Sequence, residues 1–93
     1  MPSDKRFHLI IHGNVQGVNF RYSTQQKALE LGLTGWVRNL KNGNVEIIAE
    51  GPADVMDEFL KWCRVGPRMA TVTDVEMEEV AKISNLSEFS IQY

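Results

Sequence analysis

Residues 33–50 read LTGWVRNLKNGNVEIIAE, and the fold can be worked out from this stretch. The pair Asn42-Gly43 lies between two runs of strand-forming residues, which is the strongest short-range signal for a β-hairpin. The run before the pair, residues 33–40, predicts one strand. The run after it, residues 44–50, alternates apolar and acidic side chains almost throughout, so it predicts a second strand with one apolar face.

A helix is predicted on each side of this hairpin. Upstream, the spacing of Phe20, Thr24, Ala28 and Leu31 favours a helix from about Val18 to Leu31, and Gly32 is suited to end it. Downstream, Gly51-Pro52 is expected to break the strand and precede a second helix, which Gly66-Pro67 ends. The apolar stripe of this second helix consists of Val55, Met56, Phe59, Leu60 and Cys63.

Three further strands complete the pattern. Residues 7–12 predict a first strand, residues 70–80 a fourth, and Phe89 to Gln92 a short last one. The order β-α-β-β-α-β is that of a ferredoxin-like sandwich in the α+β class. We therefore expect residues 1–93 to form a single domain with an antiparallel sheet, a short fifth strand and two helices on one face.

Composition excludes several classes of protein. The single cysteine, Cys63, allows neither an internal disulfide nor a multi-cysteine metal site, and its place on an apolar stripe favours a core residue. No apolar run is long enough to span a membrane, and the residues from Met1 to Arg6 do not resemble a signal peptide. We expect a cytoplasmic monomer.

Charge is unevenly distributed along the chain. Residues 1–41 hold six Lys or Arg and two Asp or Glu, whereas residues 42–93 hold four and ten. A basic first part suits a small anionic ligand, although simple unevenness would produce the same counts. The basic residues are too sparse for a nucleic-acid surface, and we expect neither a nucleic-acid nor a membrane partner.

The segment GNVQGVNFR, residues 13–21, carries the chemistry. Its glycines permit tight turns in which successive N–H groups converge on an anion, and a helix N-terminus adds further donors. Arg21 adds a planar fork of donors that matches phosphate oxygens. The segment is neither a P-loop nor a dinucleotide-binding motif. On these residues alone, a simple corner with a solvated arginine remains an alternative.

Metal chemistry has little support in the sequence. His8 and His12 lie on one face of the first strand, but no third ligand with suitable spacing is near them. Structural or surface roles are therefore favoured for both histidines, and no metal or cofactor is expected. The acidic residues of the fourth strand suit a solvated edge, where charge blocks strand addition.

Two segments resemble the signatures of the acylphosphatase family. They are residues 13–21, quoted above, and GWVRNLKNGNV, residues 35–45, in the order that the family has. The resemblance covers nearly the whole chain and implies a five-stranded antiparallel sheet under two helices. It also implies hydrolysis of acyl phosphates to a carboxylate and inorganic phosphate.

The resemblance further implies residue roles. The backbone of Gln16, Gly17, Val18, Asn19 and Phe20 would bind phosphate together with Arg21, and Asn39 would orient the attacking water. Without the resemblance, Asn39 suits the start of a turn equally well. The first and second strands are near neighbours in such a sheet, so Asn39 is expected to reach the loop. No acyl pocket is indicated, and tolerance of the acyl group is expected.

Two other functions remain as alternatives. One is a non-catalytic acyl-phosphate-binding module of the kind found inside larger carbamoyl-handling proteins. The other is an RNA-recognition domain, which shares the strand and helix order but uses exposed aromatic residues on its sheet. Residues 44–50 contain no aromatic residue and two glutamates, which disfavours RNA binding.

Overall fold

The computed structural model describes residues 4–93. The N-terminal segment from Met1 to Arg6, which was predicted not to be a signal peptide, has its first three residues outside the described part. Within the described residues, strands and helices follow one another in the predicted order. They are β1 Asp4–Asn14, α1 Phe20–Glu30, β2 Thr34–Asn39, β3 Val45–Pro52, α2 Ala53–Val65, β4 Thr71–Val80 and β5 Phe89–Gln92.

Some element boundaries differ from the predicted ones. β1 is longer at both ends because it pairs with two neighbours, β3 and β4. β3 continues through Gly51-Pro52, where a break was predicted, because a proline is tolerated at the end of a strand. α1 begins two residues late, at Phe20, because Asn19 has a φ of 65°, which no helix interior accommodates.

The sheet is mixed, so the prediction of an antiparallel sheet is wrong for one strand pair. The strand order is β4-β1-β3-β2-β5, and β5 pairs with β2 in parallel. The segment after β4 carries the chain from one edge of the sheet to the other and reverses its direction. β5 therefore runs alongside β2, whose other side is already paired with β3.

The direction of the strands brings the carboxyl ends of β1, β2 and β5 to the same end of the sheet. β1 and β2 are each antiparallel to β3, so they run the same way, and β5 runs with them. The carboxyl ends of all three strands therefore lie at the same end of the sheet, and this is also the end at which α1 begins and α2 ends. β1 and β2 are separated by β3, but this shared direction brings their ends together.

The core lies between the two helices and one face of the sheet. The fully buried side chains include Leu9 and Ile11 of β1, Ile47 of β3, and Phe59 of α2. Phe20, the first residue of α1, packs against Trp62 of α2 with ring centroids 5.9 Å apart. This core confirms the predicted ferredoxin-like sandwich and fixes the start of α1 against α2. Among residues 4–93, no helix is both long and apolar enough to cross a membrane.

Candidate active site

The end of β1 and the loop that follows it have a backbone that requires glycine at position 13. Gly13 has a φ of 127°, and a Cβ there would lie 2.0 Å from the carbonyl oxygen of Thr71. Further along, Gly17 and Asn19 have φ values of 74° and 65°, with Val18 of ordinary φ between them. Positive φ values on both sides of an ordinary residue are typical of the turns in which successive N–H groups converge.

The start of α1 has donors that the helix itself does not use. The first backbone bond of the helix runs from the N–H of Ser23 to the carbonyl oxygen of Asn19, over 3.1 Å. The N–H groups of the preceding turn therefore have no partner within the helix. Asn19 provides no side-chain cap, and no acidic residue lies in the first turn. This end of the helix is thus electropositive and uncompensated.

Arg21 adds a cation to the same turn. Its guanidinium donates a hydrogen bond to the carbonyl oxygen of Gln92 over 3.3 Å and lies 4.8 Å from the ring centroid of Tyr93. Within residues 4–93 no carboxylate lies at ion-pairing distance from it. A guanidinium has five N–H donors, so most of them remain available to an anion.

Asn39 reaches the same place from β2. Its Oδ1 atom is shielded from solvent and accepts no hydrogen bond from any residue between 4 and 93. A buried amide oxygen without a donor costs free energy, so such atoms are rare and commonly belong to functional sites. From the sequence, Asn39 suited either the start of a turn or the binding of a water molecule. The structure shows that its side-chain oxygen is an acceptor that the described residues do not use.

These groups line one cavity of about 250 Å³ at the end of the sheet where β1, β2 and β5 have their carboxyl ends. The predicted residues Gly17, Asn19, Phe20, Arg21 and Asn39 all contribute to its wall. Gln16 and Val18, which were predicted with them, are not part of this wall. The remaining wall residues, to which the sequence analysis assigned no role, are Val15, Tyr22, Ile91 and Tyr93.

The side chain of Gln16 has a different task. Its Nε2 atom donates to the carbonyl oxygens of Leu40 and Asn44, over 2.7 and 2.8 Å. These two residues flank the turn between β2 and β3, so Gln16 ties the glycine loop to the segment that follows Asn39. No sequence signal distinguishes such a bridging glutamine from a solvated one.

The histidines lie on the sheet face away from the helices, each beside a different carboxylate. His8 contacts Glu46 of β3 over 2.7 Å, and His12 contacts Glu76 of β4 over 2.5 Å. Cys63 is fully buried, and burial raises the pKa of its thiol, so it is not a nucleophile. In the described part of the chain, no three His, Cys, Asp or Glu residues are grouped so that they could share a metal ion.

Comparison with known proteins identifies the family. The acylphosphatase family model matches residues 7–91. An acylphosphatase from Methylococcus capsulatus is 51% identical over 87 residues, which cover 94% of this chain and 95% of the relative. The chain belongs to the acylphosphatase family. As a member, it is a hydrolase that cleaves acyl phosphates to a carboxylate and inorganic phosphate.

Solved acylphosphatase structures have the same fold. The acylphosphatase from Bacillus subtilis superimposes with a TM-score of 0.92 at 38% identity, over 96% of this chain and 99% of that one. The acylphosphatase from Coxiella burnetii gives 0.91 at 40% identity, over 96% and 93%. The ferredoxin-like fold and the acylphosphatase activity implied by the two sequence signatures are thereby confirmed.

Proposed function

We propose that this acylphosphatase holds the phosphoryl group of its substrate in the 250 Å³ cavity, with Asn39 placing the attacking water. One observation carries the proposal. The uncapped N-terminus of α1, with Arg21 and no acidic residue in its first turn, faces the same cavity as the unpaired Oδ1 atom of Asn39. Donors for an anion and an acceptor for water thus meet in one place.

The phosphoryl oxygens are bound by the loop and by Arg21. Backbone N–H groups from about Gln16 to Arg21 donate to them, and the guanidinium neutralises their charge. Phosphoryl transfer depends mainly on positioning and on electrostatic stabilisation of the transition state. Because these donors are held by a left-handed turn and a helix start, they need little rearrangement as charge develops.

Asn39 acts on the nucleophile. One O–H of the water donates to Oδ1, which directs an oxygen lone pair toward phosphorus. The water oxygen forms the new P–O bond while the bond from phosphorus to the acyl oxygen breaks, and the carboxylate leaves with that electron pair. An amide takes up no proton at neutral pH, so the water's proton passes to a phosphoryl oxygen. A carboxylate is stable as an anion and needs no general acid.

Gln16 has a positioning role in this scheme. Its two hydrogen bonds hold the glycine loop against the turn after Asn39, so donor and acceptor keep a constant separation. Small displacements of reacting groups are costly in rate, so this connection matters although the side chain of Gln16 contacts neither substrate nor water.

The setting of the reaction is part of the proposal. A cytoplasmic monomer acting on a free small molecule, with neither nucleic acid nor membrane as partner, fits the basic cavity and the otherwise acidic chain. The alternative of a binding module predicts that an acyl phosphate binds without turnover. Release of inorganic phosphate from acetyl phosphate separates these two possibilities.

Titration of the wild-type protein with inorganic phosphate, followed by NMR of backbone amides and guanidinium N–H groups, tests the binding site. We expect the largest shifts at residues 17–22 and at the Arg21 side chain. Arg38, paired with Glu46 on the far face, provides an internal control, and sodium chloride at equal ionic strength controls for salt. Shifts centred on Arg38 or on the end of α2 would contradict the proposed site.

A further inference from the structure

Helix α1 is joined to β5 by two side chains that lie one turn apart. Arg21 donates to the carbonyl oxygen of Gln92 over 3.3 Å, and the Nε2 atom of Gln25 donates to the carbonyl oxygen of Phe89 over 3.0 Å. Residues i and i+4 share one face of a helix, so both side chains leave α1 toward the same strand. Arg21 lines the cavity, whereas Gln25 does not.

The hydrogen bond from Gln25 is made at the outer edge of the sheet. β5 is the last strand in the order, with β2 as its neighbour, and the carbonyl oxygen of Glu88 accepts from the N–H of Gly35 in β2 over 2.9 Å. Successive carbonyl groups of a strand point to opposite edges, so the carbonyl of Phe89 points away from β2. Gln25 therefore supplies a donor at an edge where the described sheet has no further strand.

The position of β5 determines how the guanidinium of Arg21 is oriented. This group contacts the carbonyl oxygen of Gln92 and the ring of Tyr93, whose centroid is 4.8 Å away. A bond of 3.3 Å is longer than usual for N–H and oxygen, so it fixes the strand weakly. The shorter bond from Gln25 is partly buried and uses no group that is assigned to phosphate. It can hold β5 in place while the guanidinium engages the ligand.

We propose that Gln25 is a positioning residue for Arg21. By fixing β5 against α1, it holds the Gln92 carbonyl and the Tyr93 ring where they direct the guanidinium into the cavity. The inference rests on the proposed role of Arg21 in binding phosphate. A side chain that is already ordered loses less conformational entropy on binding, so Gln25 contributes to substrate affinity. Once phosphate is bound, the phosphate itself orients the guanidinium, and the chemical step depends little on Gln25.

Gln25→Met tests this role because it removes the donor and keeps the length of the side chain. Methionine and glutamine have similar helix propensities, so α1 should be preserved. We expect KM for acetyl phosphate and the inhibition constant of inorganic phosphate to rise together by about three- to tenfold, the effect of losing one hydrogen bond, with kcat nearly unchanged. Gln26→Met, at the next and exposed position of α1, is the matched control and should change none of these constants.

A purely structural role for Gln25 predicts a different result. Stability would fall, while KM, kcat and phosphate inhibition, all measured well below the melting temperature, would equal those of wild type. That result would overturn the proposal. A fall in kcat with unchanged phosphate inhibition would also overturn it, because such a change indicates an effect on the attacking water and not on Arg21.

Coupling between Gln25 and Tyr93 provides a second test. Tyr93→Leu removes the ring beside the guanidinium and leaves Gln25 in place. If both residues act through the orientation of Arg21, adding Gln25→Met to Tyr93→Leu should raise KM by a smaller factor than it does in wild type. Fully additive effects would contradict the proposal.

Phosphate inhibition of Arg21→Ala separates this inference from the proposed function. If Arg21→Ala binds phosphate as tightly as wild type, the phosphate site itself is misassigned. If Arg21→Ala loses phosphate binding while Gln25→Met behaves as wild type, only the role of Gln25 fails.

Discussion

Arg6 and Arg21 lie in polar clusters at different places in the fold. The polar groups around Arg6 are paired with one another, whereas those around Arg21 are largely without partners in the described chain. Arg6 is buried on β1, where it donates to Glu50 over 2.8 Å and to Asn85 over 2.7 Å. The same Glu50 accepts from the backbone N–H groups of Ile83 and Ser84. Arg21, by contrast, has one long hydrogen bond to a carbonyl oxygen and no carboxylate partner in the described chain.

The difference is the one expected between a structural cluster and the proposed functional one. Around Arg6, charge and hydrogen-bonding capacity are used within the protein, which fastens the segment after β4 to the sheet. Around Arg21, donors of the helix start and the Oδ1 acceptor of Asn39 are left over. Unsatisfied polar groups lower stability, so their concentration in one cavity indicates that a ligand satisfies them.

The largest effect is expected from Arg21→Ala. It should lower kcat/KM for acetyl phosphate by about 10³–10⁵-fold, the range for an arginine that stabilises phosphoryl-transfer charge. The fold should survive, because Arg21 contributes no buried ion pair. Arg64→Ala, which removes an exposed arginine from the last turn of α2, is the matched control and should retain activity. Tight phosphate binding by Arg21→Ala would refute the assigned role.

Asn39→Ala should separate chemistry from binding. We expect kcat to fall by about 10²–10³-fold while inhibition by phosphate stays near normal, because the lost interaction acts on the water in the transition state. Asn42→Ala removes a turn asparagine whose side chain accepts from the N–H of Asn44, and it should cost stability rather than kcat. A stable Asn39→Ala variant with wild-type kcat would remove Asn39 from the reaction.

Glu50→Gln is the corresponding change in the satisfied cluster. Side-chain exposures of 8% and 6% make Arg6 and Glu50 a buried pair, and leaving Arg6 without its carboxylate should lower the free energy of unfolding by about 3 kcal/mol. Activity below the melting temperature should be retained. Glu79→Gln, which breaks the exposed pair with Lys5, should change stability by less than about 1 kcal/mol. Denaturant unfolding measures both changes.

The same pair gives a pH dependence with a definite sign. Burial alone would raise the pKa of Glu50, but hydrogen bonds from Arg6, Ser84 and Ile83 lower it below its ordinary value of 4.5. The stabilisation from Glu50 is therefore complete above pH 4.5 and is lost as the pH falls through the lowered native pKa. The difference in stability between wild type and Glu50→Gln should shrink in that acid range.

A modest effect is expected from stabilisation by the ligand. Phosphate at a hundredfold excess over its Kd should raise the free energy of unfolding by about 2.7 kcal/mol, since it binds only the folded protein. Thermal unfolding in phosphate and in chloride of equal ionic strength measures the increase. The increase should vanish in Arg21→Ala and persist in Glu50→Gln. An equal increase in Arg21→Ala would mean that phosphate stabilises the protein elsewhere.

The sequence predicted the parts of the fold that depend on local pattern. Asn42-Gly43 defined the hairpin because its turn chemistry acts over two residues, and the stripe on α2 defined a buried face by its spacing. The direction of β5 was not predictable, because it depends on which sheet edge remains unpaired after the other strands have assembled. Gly51-Pro52 was misjudged for a similar reason, since pairing with β1 extends β3 through it.

The candidate site also has a part that could be predicted from local sequence and a part that depends on tertiary contacts. Gly17, Asn19 and Arg21 belong to one continuous segment whose residue types already suggest an anion site. Asn39 could be connected to them only through a family resemblance, because its unused oxygen is a property of the surrounding packing. The bridge made by Gln16 and the cavity wall at Tyr93 depend on tertiary contacts alone, so no local pattern could reveal them.

The contact between Arg21 and β5 also has a consequence for folding kinetics. Arg21 and Gln92 are 71 residues apart in the chain, and they meet only after the parallel pairing of β2 with β5. Contacts at such sequence separation form slowly, because a long loop must close before the pairing repays the lost entropy. During refolding, enzymatic activity should therefore recover together with the docking of β5, and species that have already buried Phe59 but lack β5 should be compact and inactive.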